Sequence, residues 1–156
     1  MDIHSLPDII ATLCRQESTS YQCGDYLSPE FQTMRHDCPK HIKLEAPLSH
    51  ASFESSNASG KINEYWREKI CEWCYQVIDH FDFNREVVEI SLSYLDRFLC
   101  TRTVTKKAFQ LAAMTCLYMA IKLYEPTSLK ISSIIELSRG YFTIEHIVAM
   151  ENTILR

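Results

Sequence analysis

Glycine is scarce in this chain, with three in 156 residues, at positions 24, 60 and 140. Sheet-rich domains turn many tight corners and draw on glycine for them, so the shortage, together with few alternating apolar stretches, points to an all-helical protein. There is no G-x-S-x-G, no glycine-rich phosphate loop and no carboxylate pair in a suggested cleft, so enzymatic chemistry has no residues to carry it. Positive charge is short as well. Sixteen Lys and Arg against twenty Asp and Glu leave a net charge of −4 with no lysine-rich run, which weighs against nucleic acid as the main partner. The opening MDIHSLPDII lacks a charged leader, an apolar core and a small-residue cleavage site, so no secretory signal is expected. Seven cysteines, an odd number without framework spacing, suit a reducing compartment, and nucleus and cytoplasm are the expected locations.

What is present is organised around TKKAFQLAAMTCLYMAIKLYE, residues 105–125. It contains no Gly or Pro, opens on the capping-type Thr105 and stops before Pro126, so one helix is expected. Apolar residues fall on every side of it, and at ~1.5 Å per residue it reaches about 30 Å, the width of a small domain. Such a helix belongs at the centre of others. Gln110 and Thr115 interrupt an uncharged stretch of only residues 108–121, short of the ~18 apolar residues a membrane span needs, so no membrane is expected.

The first sixty residues differ in character. A short helix is expected over 5–17, with Ser5 as its cap and Ile9, Ile10 and Leu13 as its apolar stripe. From 18 to 60 the chain reads as mostly irregular, with a flexible linker at about 49–60. Residues 1–60 thus form an N-terminal segment and 61–156 a packed domain. A helix over about 62–81 carries Trp66, Ile70, Trp73 and Val77 in one column and Arg67, Cys71, Cys74 and Ile78 in the next. A second, 84–100, is capped by Asn84 and buries Val88, Leu92, Leu95 and Leu99, with Asp96 in the same column. After the central helix, Thr127 or Ser128 can cap a short fourth holding Ile131, Ile134, Ile135 and Leu137, closed by Gly140. The fifth starts at Thr143 with Ile144, Ile147, Val148, Glu151 and Leu155 as its expected buried stripe, so Glu151 takes an apolar position.

Four charges therefore fall where apolar residues belong. Arg67 and Asp96 lie on consecutive antiparallel helices, and the economical solution is that they bond each other. Lys122 and Glu151 lie near helix ends. Either they pair with each other or reach solvent, or they flank a groove rimmed by Met119, Leu123 and Leu155 and hydrogen-bond the backbone of a docked segment.

Cys71 and Cys74 form an isolated C-x-x-C that reads as packing, and His36, Cys38 and His41 with Cys23 make no recognised zinc spacing, so neither metal nor cofactor is expected. Ser18, Thr19 and Ser28, the last before Pro29, are plausible modification sites on composition alone.

With these residues in view, the segment 66–156 resembles the N-terminal cyclin box of cyclins, the regulatory subunits of cyclin-dependent kinases. The resemblance is carried by Arg67 in WREKICEW, Asp96 in SYLDRFL, Leu111 and Lys122 in QLAAMTCLYMAIKLYEP, and Glu151 in MENTIL. It implies a five-helix bundle around the third helix, a structural Arg67–Asp96 pair, Leu111 in the core, and Lys122 with Glu151 gripping the movable C-helix region of a kinase. It implies no catalysis by the chain itself, and a role in cell-cycle progression. Kinase substrates or inhibitors are further candidate partners through a docking patch of Trp66, Ile70 and Trp73. Many cyclins carry a second helical repeat, so the likeness covers one box. LCRQE at 13–17 lacks the pocket-protein spacing of some D-type cyclins. A cyclin-fold adaptor of the transcription machinery and a plain helical scaffold are the rival readings.

Overall fold

The computed structural model describes residues 6–28, 30–31 and 62–156, and residues 36–37 by their backbone. Helix α1 (Leu6–Thr19) precedes the bundle, which consists of α2 (Glu64–Phe81), α3 (Glu86–Thr101), α4 (Lys106–Tyr124), α5 (Ile131–Leu137) and α6 (Ile144–Ile154). Two-residue strands β1 (His36–Asp37) and β2 (Arg102–Thr103) pair in parallel, His36 opposite Arg102. The fold is all-α. The expected linker at 49–60 lies outside the described residues.

Four of the five bundle helices start where a side chain takes up an orphan amide. The Asn63 carboxamide oxygen accepts from the Trp66 amide at 3.3 Å, and the Thr105 hydroxyl accepts from the Ala108 amide at 3.2 Å. On α6 the caps are reciprocal: the Thr143 hydroxyl accepts from the His146 amide while His146 Nδ1 accepts from the Thr143 amide. The Asn84 carboxamide oxygen accepts from the Glu86 amide at 3.0 Å, two residues ahead of α3. Helix α5 departs from expectation. It begins at Ile131, without a side-chain cap, and not at Thr127 or Ser128, because Leu129 is buried in the core and holds the preceding stretch extended. Its end behaves as expected, since Gly140 takes φ +73° and its amide donates to the Ile135 carbonyl.

Helix α4 runs through the middle, packed on α3 along one side and α6 along another, with α2 and α5 completing the enclosure. Every residue from Ala108 to Ile121 except Gln110 and Tyr118 is buried, and the hydroxyl of buried Thr115 is satisfied by the Leu111 carbonyl at 2.8 Å. Leu111 is fully buried. Helix α1 shows the opposite: Leu6, Ile9, Ile10 and Leu13 are all exposed, so its apolar stripe covers nothing among the described residues.

Candidate functional site

The four misplaced charges form two ion pairs. Arg67 grips Asp96 with two bonds, Nε to Oδ1 at 3.1 Å and Nη2 to Oδ2 at 2.7 Å, linking α2 to α3. The pair sits at the edge of the core, Arg67 keeping 37 % of its side chain exposed and Asp96 17 %. A third donor was not foreseen. The Tyr26 phenol, brought in from before the bundle, donates to Asp96 Oδ1 at 2.7 Å. Burial, and then this bond, raise the Tyr26 phenol well above the usual tyrosine range, while the carboxylate bond raises the Arg67 guanidinium above its own. Tyr26 is buried, with Leu27 and Phe31 packed against the same core. The signal available was the apolar trio of Tyr26, Leu27 and Phe31 in an otherwise polar stretch.

Lys122 and Glu151 bond each other directly, joining the last turn of α4 to the middle of α6. The ammonium also stands over the Tyr118 ring, 4.8 Å from its centroid. The pair is not sealed in: about a third of the Lys122 side chain and a quarter of Glu151 remain accessible. One ammonium proton is used by the carboxylate, which leaves capacity for further bonds on both partners.

The surroundings of this pair differ from the expected groove in two respects. Met119 is only 5 % exposed and belongs to the core, so it cannot serve as a rim, whereas Leu123 and Leu155 stand out at 66 % and 68 %. The second difference concerns α6 itself. Its buried face is Ile147, Met150 and Thr153, while Ile144, Val148 and Leu155, expected to be buried, face outward. Both faces of α6 are apolar, and helical spacing identifies such faces without saying which one meets the core. Glu151 is therefore a carboxylate set in an exposed apolar face, with Leu123 and Tyr124 exposed at the neighbouring end of α4.

The expected docking patch of Trp66, Ile70 and Trp73 is also altered. Trp66 is buried in the first turn of α2 with the Lys106 ammonium 4.7 Å above its ring, and Ile70 and Trp73 are half-buried against the core. Burying the Trp66 indole gains more than exposing it, and the patch shrinks accordingly. In the C-x-x-C, Cys74 is fully buried and burial pushes its thiol up to about 12, while Cys71 is half-buried. Cys38 and His41 lie outside the described residues. Among the described residues no three His, Cys, Asp or Glu gather as a metal site, and no helix is long and apolar enough to cross a membrane.

A five-helix bundle wound on a buried central helix, with Arg67 paired to Asp96, is the arrangement the resemblance implied, while the bond between Lys122 and Glu151 is the mutual pairing that the charge pattern had left open. The family model for the cyclin N-terminal domain matches residues 30–156, and the chain belongs to the cyclin family. Among its curated relatives, the G2/mitotic-specific cyclin S13-7 of Glycine max is 31 % identical over 119 residues, covering 76 % of this chain and 46 % of that protein. Cyclin-B1-1 of Arabidopsis thaliana is 31 % identical over 94 residues, 60 % of this chain and 22 % of its own length. The putative cyclin-A3-1 of the same plant is 25 % identical over 133 residues, 85 % of this chain and 36 % of that one. The chain thus spans less than half the length of these relatives.

Proposed function

We propose that this chain is a regulatory subunit that docks a cyclin-dependent protein kinase and favours its active state, acting in nucleus and cytoplasm on cell-cycle progression. The observation that carries the reading is the partly accessible Lys122–Glu151 pair within an exposed apolar face formed by Ile144, Val148 and Leu155, beside Leu123 and Tyr124. An apolar face of this kind provides contact area, and a charge pair with spare donors and acceptors supplies the bonds that the ends of a docked helix require. The mitotic-specific cyclin name of the Glycine max relative supports the same reading.

Activation on this reading is positional. The chain contributes no reacting group. It binds better to the kinase conformation in which the regulatory helix is swung in and the ATP-orienting ion pair is made. To turn a mostly inactive kinase into a mostly active one requires roughly 10⁴-fold preference, about 5.5 kcal/mol. A standard interface of about 1,600 Å² can supply it when its centre is dry.

The test is a pull-down against a panel of purified cyclin-dependent kinases, followed by a phosphoryl-transfer assay on the retained pairs. Lys122→Ala, Glu151→Ala and Leu155→Asp are expected to lose the kinase while keeping the helical circular dichroism of the parent. Retention of every kinase by all three folded variants, or capture of none by the parent, refutes the reading.

A further inference from the structure

Four contacts lay residues 21–26 along the C-terminal half of α3. The Arg97 guanidinium stands over the Tyr21 ring at 5.1 Å, and the Tyr26 phenol reaches Asp96. Between them Cys23 Sγ lies 3.0 Å from Cys100 Sγ, and the Cys100 thiol also donates to the Gly24 carbonyl at 3.3 Å. Cys100 follows Asp96 by one helical turn and so shares its face. The two sulfurs come from opposite sides of 77 positions of chain and meet because the flanking contacts hold the loop in place. Cys23 is exposed and Cys100 half-buried, so a small oxidant can reach them.

We propose that Cys23 and Cys100 are a modification site, a thiol pair that a hydroperoxide converts into an intramolecular disulfide fastening the N-terminal segment to α3. One thiol, as its thiolate, attacks a peroxide oxygen. The O–O bond breaks, the departing hydroxide takes up a proton and leaves as water, and the sulfur becomes a sulfenic acid. The other thiol attacks that sulfur, the S–O bond breaks, and hydroxide leaves with the second proton as another water. Two thiols lose two electrons in all, and one hydrogen peroxide is reduced to two waters. To reach the bond length of ~2.05 Å the sulfurs close by only about 1 Å.

The setting of Cys23 determines the rate. Partial desolvation where the loop lies against α3 comes first and the bond to Cys100 second, and together they push its thiol up to about 12, with the Asp96 carboxylate acting in the same sense and Arg67 opposing it. Oxidation is therefore slow at neutral pH and faster in mild alkali, because the thiolate is the reacting form. Two further bundle cysteines, Cys74 and Cys116, do not compete well, because both are fully buried and burial raises both thiols. In a reducing compartment the bond is transient, made under peroxide and broken when the thiol pool recovers.

The test uses the full chain exposed to hydrogen peroxide at about pH 8, then thiol blocking, digestion and peptide mapping without reductant. The expected product is a peptide joining Cys23 to Cys100, lighter by about two mass units than its two components and released by dithiothreitol. Hydrogen exchange at residues 24–28 is expected to slow on oxidation. The cross-link is absent in Cys23→Ser and Cys100→Ala. Because Cys23 is exposed, its serine variant keeps the parent's helical spectrum even if Cys100→Ala loosens the end of α3. A folded parent that yields no such peptide, or joins Cys23 mainly to a different cysteine, overturns the proposal.

Discussion

Tyr26 donates its phenolic proton to Asp96 Oδ1 at 2.7 Å, the same oxygen that receives Arg67 Nε at 3.1 Å. One carboxylate thereby ties three parts of the chain: the stretch before the bundle, α2 and α3. Removing it strands three donors, two on Arg67 and one on Tyr26. Asp96→Ala is expected to cost about 2–3 kcal/mol, below the ~3–5 of a sealed pair because Arg67 keeps a third of its side chain in water. Tyr26→Phe is expected to cost about 1–2 kcal/mol. Urea melts of both and of the double variant check this, and the sum of the single losses should exceed the double loss, since they share one acceptor.

The same phenol sets an alkaline limit on stability. Its pKa is raised in the folded chain, so its contribution is whole below the ordinary tyrosine value of about 10 and is lost as pH climbs above it. Melting temperature against pH should therefore fall more steeply above about pH 10 in the parent than in Tyr26→Phe, where this titration is missing. Parallel curves would contradict the buried phenol.

Leu111 and Leu155 separate stability from docking. Leu111→Ala should cost about 2–5 kcal/mol, because the residue is fully enclosed and its neighbours cannot collapse freely into the space. Leu155→Ala should stay within about 0.5 kcal/mol of the parent in a denaturant melt yet weaken kinase capture.

The Lys122–Glu151 pair behaves in the same manner. Partly exposed, it contributes on the order of 0–1 kcal/mol to folding, so Lys122→Ala and Glu151→Ala should melt almost like the parent. In a binding titration each should lose at least about tenfold in affinity for the kinase, corresponding to ~1.4 kcal/mol. A charge-swapped double variant should likewise melt like the parent and leave binding impaired.

Gly24 has no room for a side chain. A Cβ there would lie 2.6 Å from the Phe31 ring. Gly24→Ala should displace Phe31 and lower the melting temperature, and Phe31→Ala placed in that background should recover part of the loss at the clash while losing the ring's own packing.

Much of this was legible because punctuation and period agree along the bundle. Thr105 and Pro126 bracket α4, and apolar residues around its whole circumference admit no position but the centre. Arg67 and Asp96 were readable for a different reason, since a charge inside an apolar column needs its opposite nearby. Where the reading went astray, two environments share one pattern. The outward face of α6 carries Ile144, Val148 and Leu155 at the spacing of a core stripe, and Met119, read as a groove rim, lies inside. Trp66 stood in an apolar column and was offered for a docking patch only through the resemblance, and its size makes burial under Lys106 the better arrangement. Tyr26 escaped notice because its partner lies 70 positions away and no local periodicity marks a single anchoring side chain in a loop.

A helix wetted only at Gln110 and Tyr118 between residues 108 and 121, as α4 is, needs its neighbours in order to persist, so the bundle gains its form in one concerted event. Lys122 rides on the tip of that rod. Whatever protein takes hold of it meets an anchor that does not give way, and a flaw many turns distant, in side chains no partner ever touches, would arrive at the contact as a misdirected grip.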